Sequence, residues 1–297
     1  MGWFVWDTWI VVAGVLSAVA CALPGCFLVL RKMSMMGDAI THAVLPGIAI
    51  AFIITGSRSS VSMFTGAVVS GLITAFLTQW VNKNGKLDLG SSMGIVFSVL
   101  FAAGLLLIEY GADFVDLDPS CVLYGAIEFT PLERFWWGIP RAVWVLSSVV
   151  LLNVTLLVLF YKELLLNAFD QNLANSLGIS SEKIHYYLMV IVAVTAVATF
   201  EVVGSVMVVA LLIVPAGSAY LLTVRLSHML YLSVFFGALG AILGHILAIK
   251  IPSMIGFNGM STSAMIAVVL GVIFSIAWTI SVFVKSEKFL KWGFLKE

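Results

Sequence analysis

Asp38 and His42 stand four residues apart in the segment RKMSMMGDAITHAVLPGIAIAF, residues 31–52. On a helix that spacing brings a carboxylate and an imidazole to one face. An oxygen and a nitrogen donor converging there suit Zn2+, Mn2+ or Fe2+. Pro46 and Gly47 follow directly. They break or kink a helix and free backbone carbonyls, a way of building ion sites at membrane depth. A plainer account is that Asp38 caps the helix and His42 pairs with it, and on spacing alone that account has the advantage.

The other ionisable residues near apolar segments carry weaker signals. Glu201 is a second candidate ligand or gate residue, although a solvated turn explains it more simply. His245, after the small residues Gly237, Gly240 and Gly244, is a further candidate; an interhelical hydrogen bond is its plainer role. His185 and His228 read as interfacial, and Pro215 as a tolerated membrane proline. The stretch YKELLLNAFDQNLANSLGIS, residues 161–180, reads as a short amphipathic helix. Leu164, Leu165, Ala168, Leu173 and Leu177 supply its apolar positions and Gly178 ends it. Such a helix is either a docking surface for a partner or a connector lying on lipid headgroups. No GxxxxGK[ST], HExxH or Rossmann glycine pattern is present, and no catalytic residue is assigned.

These residues must be positioned by elements of an unusual chain. Of 297 residues, 62% are hydrophobic and 10% charged, with a mean hydropathy of +1.13. Soluble domains carry about 25% charged residues, so a soluble enzyme is excluded. Fifteen basic residues balance fifteen acidic ones, which leaves no field to attract nucleic acid. Cys21, Cys26 and Cys121 make no disulfide framework or CxxC site, and the N-terminus lacks the basic region of a signal peptide. Charge-free stretches of membrane-spanning length occur at 8–30, 39–57, 59–82, 89–108, 142–161, 184–200, 202–224, 226–249 and 251–284. The last opens with a loop, Pro252 to Asn258. The expected fold is therefore an all-α polytopic membrane protein of about nine helices. It has eight if the pair divided by Glu201 is one broken helix. With the N-terminus outside and the C-terminus inside, eleven basic residues fall in inner loops and four in outer ones, as positive-inside bias requires. The chain reads as a single membrane domain with an inner loop helix within 162–182, an outer loop at 109–141 and a basic tail at 285–297 on inner-leaflet lipid. In the outer loop, CVLYGAI reads as a re-entrant piece and Phe135, Trp136 and Trp137 as interfacial anchors, like Trp3, Trp6 and Trp9.

The 31–52 segment closely resembles the hallmark early segment of the zinc/manganese/iron-type permeases of bacterial ABC importers. YKELLLNAFDQNLANSLGI resembles that family's coupling-helix segment, with Phe169, Asp170, Ala174, Leu177 and Gly178 in the expected places. VVGSVMVVALLIVPAGSAYLLTVRL resembles the segment that follows, with Gly204, Pro215 and Ala216 in register. The likeness covers roughly residues 8–284; the piece around Tyr124–Glu128 departs from the family's glycine-rich form. The resemblance implies a permease subunit of the bacterial cytoplasmic (inner) membrane that imports a divalent zinc, manganese or iron ion by alternating access. It implies Asp38 and His42 as metal contacts and Phe169, Asp170, Leu177 and Gly178 as contacts to a cytoplasmic ATPase subunit. It further implies an extracellular or periplasmic metal-binding protein as donor, a homodimer or paired permease, and no permanently bound cofactor. The competing reading is an ion-gradient-driven secondary metal transporter or channel, which would not need the loop helix.

Overall fold

The computed structural model describes residues 5–56, 60–111, 127–132, 138–255 and 260–293. Nine helices among them are long and apolar enough to cross a membrane. They are α1 (Val5–Leu30), α2 (Met36–Thr55), α3 (Ser60–Gly85), α4 (Leu89–Gly111), α5 (Arg141–Leu159), α8 (Ser181–Val203), α9 (Ser205–Leu222), α10 (Leu226–Ile255) and α11 (Thr262–Gly293). Two short helices, α6 (Tyr161–Phe169) and α7 (Gln171–Ser176), lie between α5 and α8, and a 3-10 helix covers Ile127–Leu132. Most of CVLYGAI, the Phe135–Trp137 cluster, Trp3 and the side chains of the basic tail fall outside the described residues.

Polar contacts between helices fix their directions. Lys83 at the end of α3 pairs with Glu182 at the start of α8 at 3.2 Å, and Tyr161 bonds Ser227 at the start of α10. These mark one end of the bundle. Arg141 at the start of α5 meets Glu201 at the end of α8 at 3.5 Å, and Asp7 meets His245 late in α10 at 3.6 Å. These mark the other. Successive spans therefore alternate, and the end carrying α6 and α7 also carries Arg31, Lys32, Lys83, Lys86, Lys162, Lys183 and Arg225.

Lipid tails are as apolar as leucine, so these helices associate through close packing rather than the hydrophobic effect. The apolar windows of α1 and α8 are 72% buried, against 22% for α4 and α5, which makes the first pair the centre and the second the rim. α2, α3 and α4 pack as one group and α1, α9, α10 and α11 as another. α8 touches α1, α2, α3 and α5. On α5 the buried Asn153 donates to the Ala20 carbonyl and to Thr195 Oγ1 at 3.0 and 2.9 Å, joining α1, α5 and α8. Cys21 and Cys26 are buried on α1.

α8 and α9 are separate helices, so the expected nine spans hold over eight among the described residues. Gly204 between them has φ +82°, a value that favours glycine, and it turns the chain in a single residue. The loop expected from Pro252 begins later, because Pro252 lies inside α10, which runs to Ile255; membrane helices tolerate proline where neighbours serve the freed carbonyl. His185, read as interfacial, lies near the start of α8 and is buried, at 7% exposure.

Candidate metal contact and docking segment

α2 begins without a side-chain cap. Its N-cap is Met35, with no side-chain hydrogen bond. Asp38 is the third helical residue rather than the cap, so its carboxylate is free to point along the helix toward His42. A carboxylate in the first turn is still favoured by the helix dipole. Asp38 Oδ1 lies 3.4 Å from His42 Nε2, and the two side chains are 35% and 30% exposed. Both thus remain reachable by an ion. Thr41 donates to the Asp38 carbonyl at 2.9 Å. The imidazole is walled by α4: Phe101 meets it edge-on with ring centres 5.5 Å apart, and Phe97 is tilted against it at 5.8 Å. The aromatic wall limits ring rotation and keeps Nε2 directed at Asp38.

The rest of α2 is held by contacts without side chains. A Cβ on Gly47 would collide with the Gly66 carbonyl of α3, and one on Gly66 with the Gly47 carbonyl. The backbones therefore touch at this crossing. A Cβ on Gly104 of α4 would press on Pro46 at 2.7–2.8 Å. Ser70 of α3 donates to the Ala43 carbonyl, one turn before the proline. The proline-containing middle of α2 is thereby clamped between α3 and α4, which fixes the height of His42 in the bundle.

Two donors do not complete the shell of a divalent transition metal, which takes four or more ligands. No group of three or more His, Cys, Asp or Glu side chains suited to a metal occurs among the described residues. Glu201 and His245 do not join Asp38 and His42: they lie at the opposite end of the bundle. Glu201 pairs with Arg141. His245 lies between Asp7 and Thr262, with its Nδ1 3.5 Å from Thr262 Oγ1.

The expected single helix over 164–178 is two. α6 ends at Phe169 and α7 starts at Gln171, with Asp170 extended between them at φ −145° and ψ 101°. Asp170 is the N-cap of α7: its Oδ1 accepts from the backbone N–H groups of Asn172 and Leu173 at 2.9 and 3.0 Å. An aspartate gains more as a cap than inside a helix, and so the chain bends there. Gly178 closes α7 with φ +82° and open space where a side chain would go. Its left-handed backbone, not crowding, explains the glycine. Leu164, Asn167 and Ala174 face the bundle, while Phe169, Leu173 and Leu177 are 60%, 47% and 60% exposed. Ser181 at the start of α8 anchors the segment. Its N–H donates to Asn175 Oδ1 at 2.9 Å, its hydroxyl donates to Asn167 Oδ1, and its carbonyl accepts from Asn167 Nδ2 at 3.3 Å.

The Phe97–Phe101 wall was not foreseen in the sequence. An aromatic residue in an apolar span reads the same whether it faces lipid or a histidine.

Three comparisons bear on this arrangement. The sequence profile of the ABC 3 transport family matches residues 7–282. The chain is 43% identical over 280 residues to the manganese transport system membrane protein MntD of Bacillus subtilis (strain 168), covering 93% of this chain and 92% of that protein. It is 38% identical over 275 residues to the zinc transport system membrane protein TroD of Treponema pallidum (strain Nichols), covering 92% and 73%. Among solved structures, PsaBC from Streptococcus pneumoniae in complex with Fab superposes with a TM-score of 0.75 at 30% identity, over 93% of this chain and 91% of that one.

Proposed function

The chain belongs to the ABC 3 transport family, and on that premise we propose that it is the membrane permease subunit of an ATP-driven importer of a divalent transition metal ion. The observation that carries the metal reading is the Asp38–His42 pair, accessible on one face of α2 at 3.4 Å. A carboxylate and an imidazole bind manganese, zinc or ferrous iron, and the relatives above are named for manganese and zinc. Two ligands from one chain hold an ion loosely. Water and a second permease copy facing the same path supply the remainder. A shell assembled this way lets the cargo enter and leave, which conduction requires.

In this reading the end of the bundle bearing α6, α7 and seven described basic residues faces the cytoplasm of a bacterial cell, by positive-inside bias. ATP is hydrolysed on a separate cytoplasmic ATPase subunit, which docks on the exposed face of Phe169, Leu173 and Leu177. A metal-binding protein outside the membrane delivers the ion to the opposite end. Glu201 and His245 serve there as structural partners of Arg141, Asp7 and Thr262. The ion is cargo, and no resident cofactor is assigned. ATP-driven closure of the partner subunits rocks the α2–α3–α4 group against the α1–α9–α10–α11 group and opens the Asp38–His42 site to alternate sides.

The test is radiolabelled manganese and zinc uptake in cells carrying Asp38→Ala, His42→Ala or both, normalised to folded permease. Two ligands of one ion act as a unit. Each single variant should therefore lose most uptake, and the double variant should lose little more. Near-normal normalised uptake in Asp38→Ala would make the pair structural and remove the metal path from α2.

A further inference from the structure

A polar cavity of about 550 Å3 opens at the lower end of the bundle, the end that carries α6 and α7. It lies where the ends of α1 and α3 meet the start of α8 and the flank of α7. Arg31, Gln79, Asn82, Asn172, Asn175 and His185 are among its lining residues. Three side-chain atoms of its lining residues are shielded from solvent and have no hydrogen-bond partner among the described residues: the donor Arg31 Nη1, the acceptor Gln79 Oε1, and His185 Nε2. His185 is 93% buried, from its 7% exposure. Arg31 makes no ion pair among the described residues, and burial pushes its guanidinium pKa down. A buried polar group without a partner is costly, and a buried charge more so. Lys83 and Glu182 also line the cavity, and they pair with one another at 3.2 Å. The cavity lining therefore carries one unmatched positive charge, on Arg31.

We propose that this cavity is a binding site for a phosphate-bearing anion, held by Arg31 and His185. A planar guanidinium matches two phosphate oxygens, and His185 Nε2 can donate to a third. The volume falls within the range of small-molecule sites. It leaves room for a phosphate carried on a polar body, either the headgroup of an acidic phospholipid of the inner leaflet or a soluble phosphate compound. Because the cavity wall includes α7, an occupant bridges the docking segment and the end of α1. Anion binding would then stiffen the link between the ATPase-facing segment and the bundle. This site is distinct from the metal contact, since it needs neither Asp38 nor His42.

The experiment uses the permease with its ATPase subunit in nanodiscs, reading the thermal unfolding midpoint. Discs of phosphatidylcholine are compared with and without inorganic phosphate at constant ionic strength, and with discs that contain phosphatidylglycerol. The wild-type complex should be stabilised by at least one probe. A response to inorganic phosphate assigns a soluble ligand; a response to phosphatidylglycerol alone assigns a lipid. Arg31→Gln should weaken the response about tenfold or more in probe concentration, since a charge-assisted bond is lost. Gln79→Glu places a carboxylate in the same cavity. It should raise the midpoint without either probe and abolish the response, and it covers the case in which Arg31→Gln does not fold. A wild-type complex indifferent to both probes, or a Gln79→Glu complex that responds like wild type, would overturn the site.

Discussion

His42 is useful to an ion only if its ring is held. Asp38 turns Nε2 one way, and the Phe97–Phe101 wall blocks the alternatives. An edge-on aromatic pair contributes about 0.5–1.5 kcal/mol beyond burial. We expect Phe101→Ala to leave expression intact while raising the metal concentration for half-maximal uptake by about threefold to tenfold. A concentration series of uptake at fixed permease level checks this, and an unchanged half-maximum would mean the wall is only packing. At this scale the sequence was readable where chemistry and spacing coincide. Asp38 and His42 are polar, four apart and inside an apolar segment, so their pairing followed from helical geometry. That Asp38 is not the cap did not follow, because Met35 offers no capping side chain and the helix still begins one residue after it. The burial of His185 was also illegible, since it depends on how α8 packs against helices distant in sequence.

Among the elements, α2 is the one whose position depends most on absent side chains. Gly47→Ala would drive a methyl group into the Gly66 carbonyl, and overpacking of this kind costs about 1–3 kcal/mol. The thermal midpoint in detergent should fall, whereas Gly94→Ala, with nothing within 4 Å of its Cβ position, should leave it unchanged. Equal midpoints for the two variants would remove the crossing from the account. Under the proposed docking role, the α6–α7 segment makes a second prediction. Asp170→Ala should cost about 0.5–2 kcal/mol of local stability by uncapping α7. It should loosen co-purification of the ATPase subunit, while Asp170→Asn, an equally good cap, retains it. Gly178→Ala should be worse than Gly178→Asn, since asparagine tolerates the left-handed backbone; ATPase co-purification ranks the two. Reading one helix here passed over a break in phase: at about 100° per residue, Leu173 and Leu177 fall on the side opposite Leu164 and Ala168. The bend at Asp170, made by one side chain accepting two backbone N–H groups, accounts for that break.

For the molecule as a whole, the apolar spans were legible because a bilayer demands long runs of apolar residues with their backbone bonds closed internally. Their boundaries were less so, as Pro252 within α10 shows. The alternation fixed by Lys83–Glu182 at one end and Arg141–Glu201 at the other makes orientation a single binary question. A cysteine introduced at Asn172 should react with a membrane-impermeant reagent only after the cells are opened, and labelling of intact cells would invert the whole topology. Ser181 has a mechanical meaning within this arrangement. Three hydrogen bonds fasten it to Asn167 and Asn175, so α6 and α7 form the foot of α8 rather than a slack tether. On the docking reading, a displacement applied to that foot is delivered with little lost travel to the base of α8. That helix leans on α1, α2, α3 and α5. On that reading it would work as a piston rod, coupled to its foot through the bonds of one serine.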